Sequence, residues 1–287
     1  MSFQLGLRIL SLADEIDDRE RRQARRRQRI SLDPFRISER EFQKTYRLSK
    51  NLARQLITKL ATFIPKERRK DGLSVQAKVL ITLAFLASGS YQTLVGQSRC
   101  HGVSQPTVSR AIRQVTKALN MRNLFSNYVK FPMTREARDE IKRCFYRKFK
   151  LPGVIGCIDG THVAIIRPSQ HEERYFNRKG YHSLNVMIIC DADLNILCID
   201  PSKPGATHDS SVWRDHPLQP YLNQKYDEEE IFLLGDSGYA LRKTMMTPVL
   251  NAIPGSPEEH YYKLQVSARN TVERCIGVLK ARFRYFF

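Results

Sequence analysis

Four acidic side chains in the second half of the chain have the types and settings that a hard divalent cation requires. They are Asp159 in VIGCIDGTHVAI, Asp209 in GATHDSSVW, Asp236 in IFLLGDSGY and Glu273 in RNTVERCIGVLKARF. Mg²⁺, or Mn²⁺ in its place, takes a few carboxylate oxygens from separate elements and keeps water in its other positions. Two such ions roughly 3.5–4 Å apart neutralise charge on the attacking and leaving oxygens of a phosphodiester. Gly160 follows Asp159 and Ser237-Gly238 follows Asp236, which leaves room for phosphate and metal. Glu273 has Arg269, Gly277 and Lys280 at i−4, i+4 and i+7, a carboxylate flanked by bases on one helical face. Each acid also has a plain structural reading. Asp159 could cap a turn, Asp209 a helix, Asp236 could make an Asx turn, and Glu273 could pair with Arg269 or Lys280. His162 and His208 read as neighbours of the site and not as ligands, because hard ions prefer oxygen. No Gly-rich phosphate loop and no nucleophilic Ser or Cys constellation competes for the chemistry.

The elements that must position these acids follow from the hydropathy pattern. VIGCIDGTHVAII reads as a strand, and LNVMIICDADLNILCID as a hairpin turning at Asp191 to Asn195. ATHDSSVWRDH begins a helix, and EIFLLGDSGYA is a strand ending in a tight glycine turn. The last helix is expected to start near Ser267 and to pack inward through Val272, Ile276, Leu279 and Phe283. The acidic run Asp227 to Glu230 reads as a solvated loop. Strand, hairpin, helix, strand, helix predicts an α/β domain over residues 151–287, a ribonuclease-H-like mixed sheet with flanking helices.

Charge divides the chain. Residues 1–150 carry 33 Lys and Arg against 13 Asp and Glu, while residues 151–287 carry 15 against 16. A basic half beside a neutral, carboxylate-bearing half suits a grip on a polyanion next to a cutting site, with binding that weakens steeply in salt. Residues 38–150 read as helical. SQPTVSRAIRQVTKAL has Ser104 at its N-cap and an inward stripe of Val108, Ile112, Val115 and Leu119. With the short helix at YQTLVGQS and the break at His101-Gly102 it forms an expected helix-turn-helix over about residues 91–119. Gln105, Thr107, Arg110 and Arg113 would face DNA; a plain packing or dimerisation bundle has the same pattern. Arg178, Lys179 and Lys280 are further candidates for the DNA backbone. Residues 1–37 form a basic extension whose run Arg19 to Arg29 is a nuclear-import signal, a DNA-binding arm or a solvated helix. The six cysteines make no C-x-x-C pair, which points to reduced thiols inside the cell and to no zinc site. The longest apolar stretch, Val79 to Ala87, is too short to span a bilayer, so no membrane partner is expected.

Five motifs in order, IDGTHV, YFNRKGYHSLNVM, GATHDSSVW, GDSGY and NTVERCIGVLKARF, resemble the transposase domain of the PIF/Harbinger superfamily. The resemblance runs from near residue 40 to the end. It implies a metal-dependent DDE nuclease of the Harbinger transposase-derived type, with Asp159, Asp236 and Glu273 as catalytic triad and Asp209 as a further metal ligand. It implies DNA as substrate, a Myb/SANT-like protein aiding nuclear entry, a homo-oligomer, and residence in nucleus and cytoplasm. Members usually continue beyond the glutamate helix, so a chain ending at Phe287 is expected to be truncated. The other reading is a domesticated descendant that binds DNA or a partner without cutting.

Overall fold

The computed structural model describes residues 15–17, 19, 20, 23, 24, 33–65, 72–98 and 100–286. Most of the basic run Arg19 to Arg29 lies outside these residues. The chain forms two compact units: Met1–Arg122 with Arg282–Tyr285, and Asn123–Ala281 with Phe286–Phe287.

The first unit is helical. Helix α1 (Glu39–Tyr46) starts in a capping box between Ser38 and Glu41 and buries Phe42 and Tyr46. Helix α2 (Lys50–Leu60) is capped by the Ser49 hydroxyl. Helix α3 (Val75–Ser88) is buried from Lys78 to Phe85 and stops at Gly89, in the left-handed conformation with φ 61°. Helix α4 (Gln92–Gln97) leads through a turn into α5 (Gln105–Leu119). Gly96 is required there, because a Cβ would stand 2.5 Å from the Val103 carbonyl oxygen. The inward face of α5 differs from the expected stripe. Val108, Ala111, Val115 and Ala118 are buried, while Ile112 and Leu119 are half-buried. Small alanines occupy the buried line of α5, and the two larger side chains sit at its flanks. Ser104 is the N-cap residue, yet its hydroxyl bonds the Thr107 hydroxyl at 3.0 Å and no backbone N–H.

Helix α6 (Arg122–Phe125) falls at the division between the units. In the second unit, α7 (Arg135–Phe149) precedes β1 (Val154–Ala164), β2 (Ser183–Cys190) and β3 (Ile196–Pro204). Helices α8 (Asp209–Arg214) and α9 (Leu218–Tyr226) follow, then β4 (Phe232–Leu234), β5 (Met245–Met246) and α10 (Pro257–Arg282). The sheet order is β3-β2-β1-β4-β5. β1, β2 and β3 pair antiparallel, whereas β4 runs parallel to both β1 and β5. This five-stranded mixed sheet with flanking helices is consistent with a ribonuclease-H-like core. One core joins Ile158, Met187 and Ile189 to Val212, Trp213 and Leu222 of α8 and α9. The other joins Cys157, Cys190 and Leu234 to Phe145 of α7 and to Ala268 and Val272 of α10. Cys157 and Ile158 thus face opposite layers, as strand alternation demands.

Two local expectations are corrected. Helix α10 starts at Pro257, ten residues before Ser267. Ser256 Oγ accepts the Glu259 N–H at 3.2 Å, and the Glu259 carboxylate accepts the Gly255 N–H at 2.7 Å. A serine cap, proline in the first turn and two early glutamates make S-P-E-E a strong helix start. The acidic run is not wholly solvated either. The Glu229 side chain is 7% exposed, paired with Arg138 and, at 2.7 Å, with Lys142 of α7. Burial alone would raise its carboxyl; hydrogen bonds from Lys142 and Arg138 outweigh that and hold it below the usual range. No described helix is long and apolar enough to cross a membrane.

Candidate metal centre

The parallel register between β1 and β4 places two of the acids side by side. Cys157 pairs with Leu234, and Asp159 and Asp236 each lie two residues further along. Asp159 shares its strand face with Cys157, toward α10, while Gly160 shares the Ile158 face, toward α8. Asp209 begins α8 and lays its carboxylate on that glycine: a Cβ at residue 160 would be 2.1 Å from Asp209 Oδ1. Gly160 therefore makes room for a neighbouring carboxylate. Asn185 of β2, 2% exposed, donates Nδ2 to Asp209 Oδ1 at 2.5 Å and to the Thr207 carbonyl at 2.9 Å. Asp236 does form the Asx turn, accepting the Gly238 N–H at 2.9 Å.

Burial pushes the Asp159 carboxyl up to about 6 against the pull of Arg269, and the charges of Asp236 and Asp209 add to the rise. Tyr239, buried beside the same aspartates, has its phenol raised well above the usual value, first by burial and then by Asp209, Asp159 and Asp236. Its hydroxyl and the Asn185 Oδ1 atom are buried with no hydrogen-bond partner. Glu273 sits one step away. It is 48% exposed and ion-paired to Arg269, whose guanidinium lies 3.8 Å from Asp159 Oδ2. Among the described residues, no three His, Cys, Asp or Glu side chains stand close enough to share one ion as placed. The structure brings Asp159, Asp209 and Asp236 together and ties Glu273 to them through Arg269.

A hard cation fits this group. The donors are all oxygen, two buried polar oxygens lack partners, and a cation would relieve the mutual repulsion of the aspartates. Basic side chains border it. Lys280 Nζ donates to the His162 carbonyl at 3.0 Å, and the Arg178 guanidinium donates to the His208 ring at 2.8 Å. Lys179 is exposed. In the first unit, Gln105, Arg110 and Arg113 of α5 are exposed and Thr107 is half-buried. Sequence reasoning missed Asn185 and Tyr239; the one signal for Asn185 was an amide inside the apolar run LNVMIIC.

The DDE superfamily endonuclease family matches residues 158–286. The Bos taurus protein named "Putative nuclease HARBI1" is 36% identical over 218 residues, which cover 76% of this chain and 60% of that protein. Its Xenopus laevis counterpart is 34% identical over 217 residues, covering 75% and 60%. "Protein ALP1-like" of Arabidopsis thaliana is 23% identical over 226 residues, covering 74% and 54%. The chain thus spans 60% of the length of the animal relatives it matches. No solved structure matches it. The family match begins at the strand that carries Asp159 and runs through the helix that carries Glu273, and over this span the chain is similar to Harbinger transposase-derived DDE proteins.

Proposed function

We propose that the chain is a divalent-metal-dependent nuclease that cleaves DNA phosphodiesters. The observation that carries this is the convergence of Asp159 in the middle of β1, Asp209 at the start of α8 and Asp236 two residues past β4, with the Asp159 carboxyl raised to about 6. In this reading these three aspartates and Glu273 would hold the ion or ions, Mg²⁺ by preference, and Asp159, Asp236 and Glu273 form the catalytic triad. Bound divalent ions supply charge neutralisation at phosphorus and acidify water. The chain's own residues prepare the site. Gly160 and Asn185 fix the Asp209 carboxylate, and Arg269 keeps Glu273 near Asp159. Arg178, Lys179 and Lys280 hold the DNA backbone beside the aspartates. Gln105, Thr107, Arg110 and Arg113 of α5 contact DNA as the second helix of a helix-turn-helix, aided by the positive charge of residues 1–150. The endonuclease family and the nuclease named among the relatives support the same reading. The test is cleavage of duplex DNA in Mg²⁺ or Mn²⁺ by the wild-type chain, Asp159→Asn and Asp236→Asn. Cutting is expected from the wild type alone, and equal cutting by all three refutes the assignment.

A further inference from the structure

The loop between β1 and β2 carries a line of buried polar contacts that ends on a histidine beside the aspartates. Asn177 is 3% exposed, and its Oδ1 accepts the Lys179 N–H at 2.8 Å. Its Nδ2 is therefore the donor to Ser183 Oγ, at 2.7 Å. Ser183 is fully buried, and its Oγ lies 3.0 Å from His162 Nδ1. The serine hydroxyl has one proton, and with solvent excluded that proton needs an acceptor. The Asn177 amide nitrogen cannot accept, so the proton goes to His162 Nδ1. The neutral imidazole then carries its own proton on Nε2. Gly205 leaves room for the hydroxyl, since a Cβ there would stand 2.2 Å from Ser183 Oγ.

Nε2 itself has no hydrogen-bond partner among the described residues. His162 shares its strand face with Gly160, on which Asp209 rests, and pairs across the sheet with Asn185, which holds Asp209. Burial disfavours the charged imidazolium; Asp209 opposes this, while the nearby ammonium groups of Lys179 and Lys280 reinforce it. A nitrogen bearing a proton offers no lone pair to a metal. A neutral N–H donor flanked by two cations, next to a metal-binding carboxylate group, suits an anionic phosphate oxygen.

We propose that His162 is a DNA-phosphate contact, held as an Nε2–H donor by the Asn177–Ser183 relay, and is not a metal ligand. This rests on the nuclease reading above. The test uses the full chain as wild type, His162→Ala, His162→Gln and Ser183→Ala. Nitrogen NMR of labelled histidine, without DNA or metal, is expected to report Nε2–H at His162 and a tautomer mixture in Ser183→Ala. Binding of a short DNA duplex in Ca²⁺ should weaken about tenfold in His162→Ala, the scale of one charged hydrogen bond. His162→Gln, whose amide nitrogen reaches the Nε2 position, should stay within about threefold of wild type on the same scale. Mn²⁺ affinity measured by calorimetry should be unchanged in all variants. An Nδ1–H signal in the wild type overturns the proposal, as does a tenfold loss of Mn²⁺ affinity in His162→Ala. A wild type that binds and cuts DNA, with His162→Ala binding as tightly, overturns the phosphate contact alone. A wild type that neither binds nor cuts overturns the nuclease reading and the contact together.

Discussion

Replacing Asp159 by Asn should stabilise the metal-free protein, and by an amount that depends on pH. The Asp159 carboxyl stands at about 6 in the fold against an ordinary value of 3.8, roughly two units or about 3 kcal/mol. The native state binds this proton more tightly than the unfolded chain. Its contribution to stability is therefore complete below pH 4 and is lost as pH rises through 6. Asn keeps the volume and can still accept the Gly160 N–H, but carries no charge to desolvate. In EDTA the variant should match the wild type at pH 4 and exceed it by about 3 kcal/mol at pH 8. For a unit of this size that is roughly 6–12 °C in the melting temperature. Calorimetric or circular-dichroism melts across that pH range measure it. Mn²⁺ should then close the gap by stabilising the wild type more than the variant. A variant no more stable at pH 8, or equally more stable at both pH values, would refute the picture of aspartates crowded together for a cation.

Gly160→Ala should drive the Asp209 carboxylate off its seat and lower Mn²⁺ affinity about tenfold or more, with a stability cost of about 1–3 kcal/mol; unchanged affinity in calorimetry argues against Asp209 as a ligand. Glu229→Ala leaves Arg138 and Lys142 without their carboxylate and should cost about 3 kcal/mol in urea unfolding. Because the Glu229 carboxyl is held below its usual value, its contribution is present above about pH 4.5 and disappears as pH falls through the lowered value, so Glu229→Gln should flatten acid unfolding there. The double variant Arg110→Ala with Arg113→Ala should reduce the slope of log binding constant against log salt by about 2 if both side chains neutralise phosphates; an unchanged slope removes α5 from the DNA surface.

The strand bearing Asp159 and the strand leading to Asp236 were legible because short apolar runs leave few alternatives. Their adjacency was not, since parallel pairing of β1 with β4 joins segments far apart in the chain. Gly160 was recognisable as a close approach, but its occupant, Asp209, arrives from about 50 residues away and no local pattern names it. Periodicity placed the glutamate helix yet missed its first ten residues, although Tyr261 and Leu264 pack on the same core as Ala268 and Val272 and the S-P-E-E cap marks the start. Glu229 looked like part of a solvated run for a similar reason: its partners lie on α7, and a buried ion pair leaves no trace in composition. On α5 the pattern gave the right helix and, in Val108 and Val115, half of its inward line; Ala111 and Ala118 were passed over because alanine is ambiguous in a hydropathy reading while its small size suits a buried line.

Arg269, Glu273 and Lys280 all stand on the single uninterrupted helix α10, four and seven residues apart. At 1.5 Å per residue their backbone positions are spaced at roughly 6 and 10 Å along one rod. The helix thus acts as a ruler across the site. No local shift can bring Glu273 toward Asp159 while leaving Lys280 where it meets β1, so any adjustment must come from side-chain rotation. A one-residue insertion between them would turn the lysine by about 100° and uncouple backbone grip from carboxylate without touching either residue.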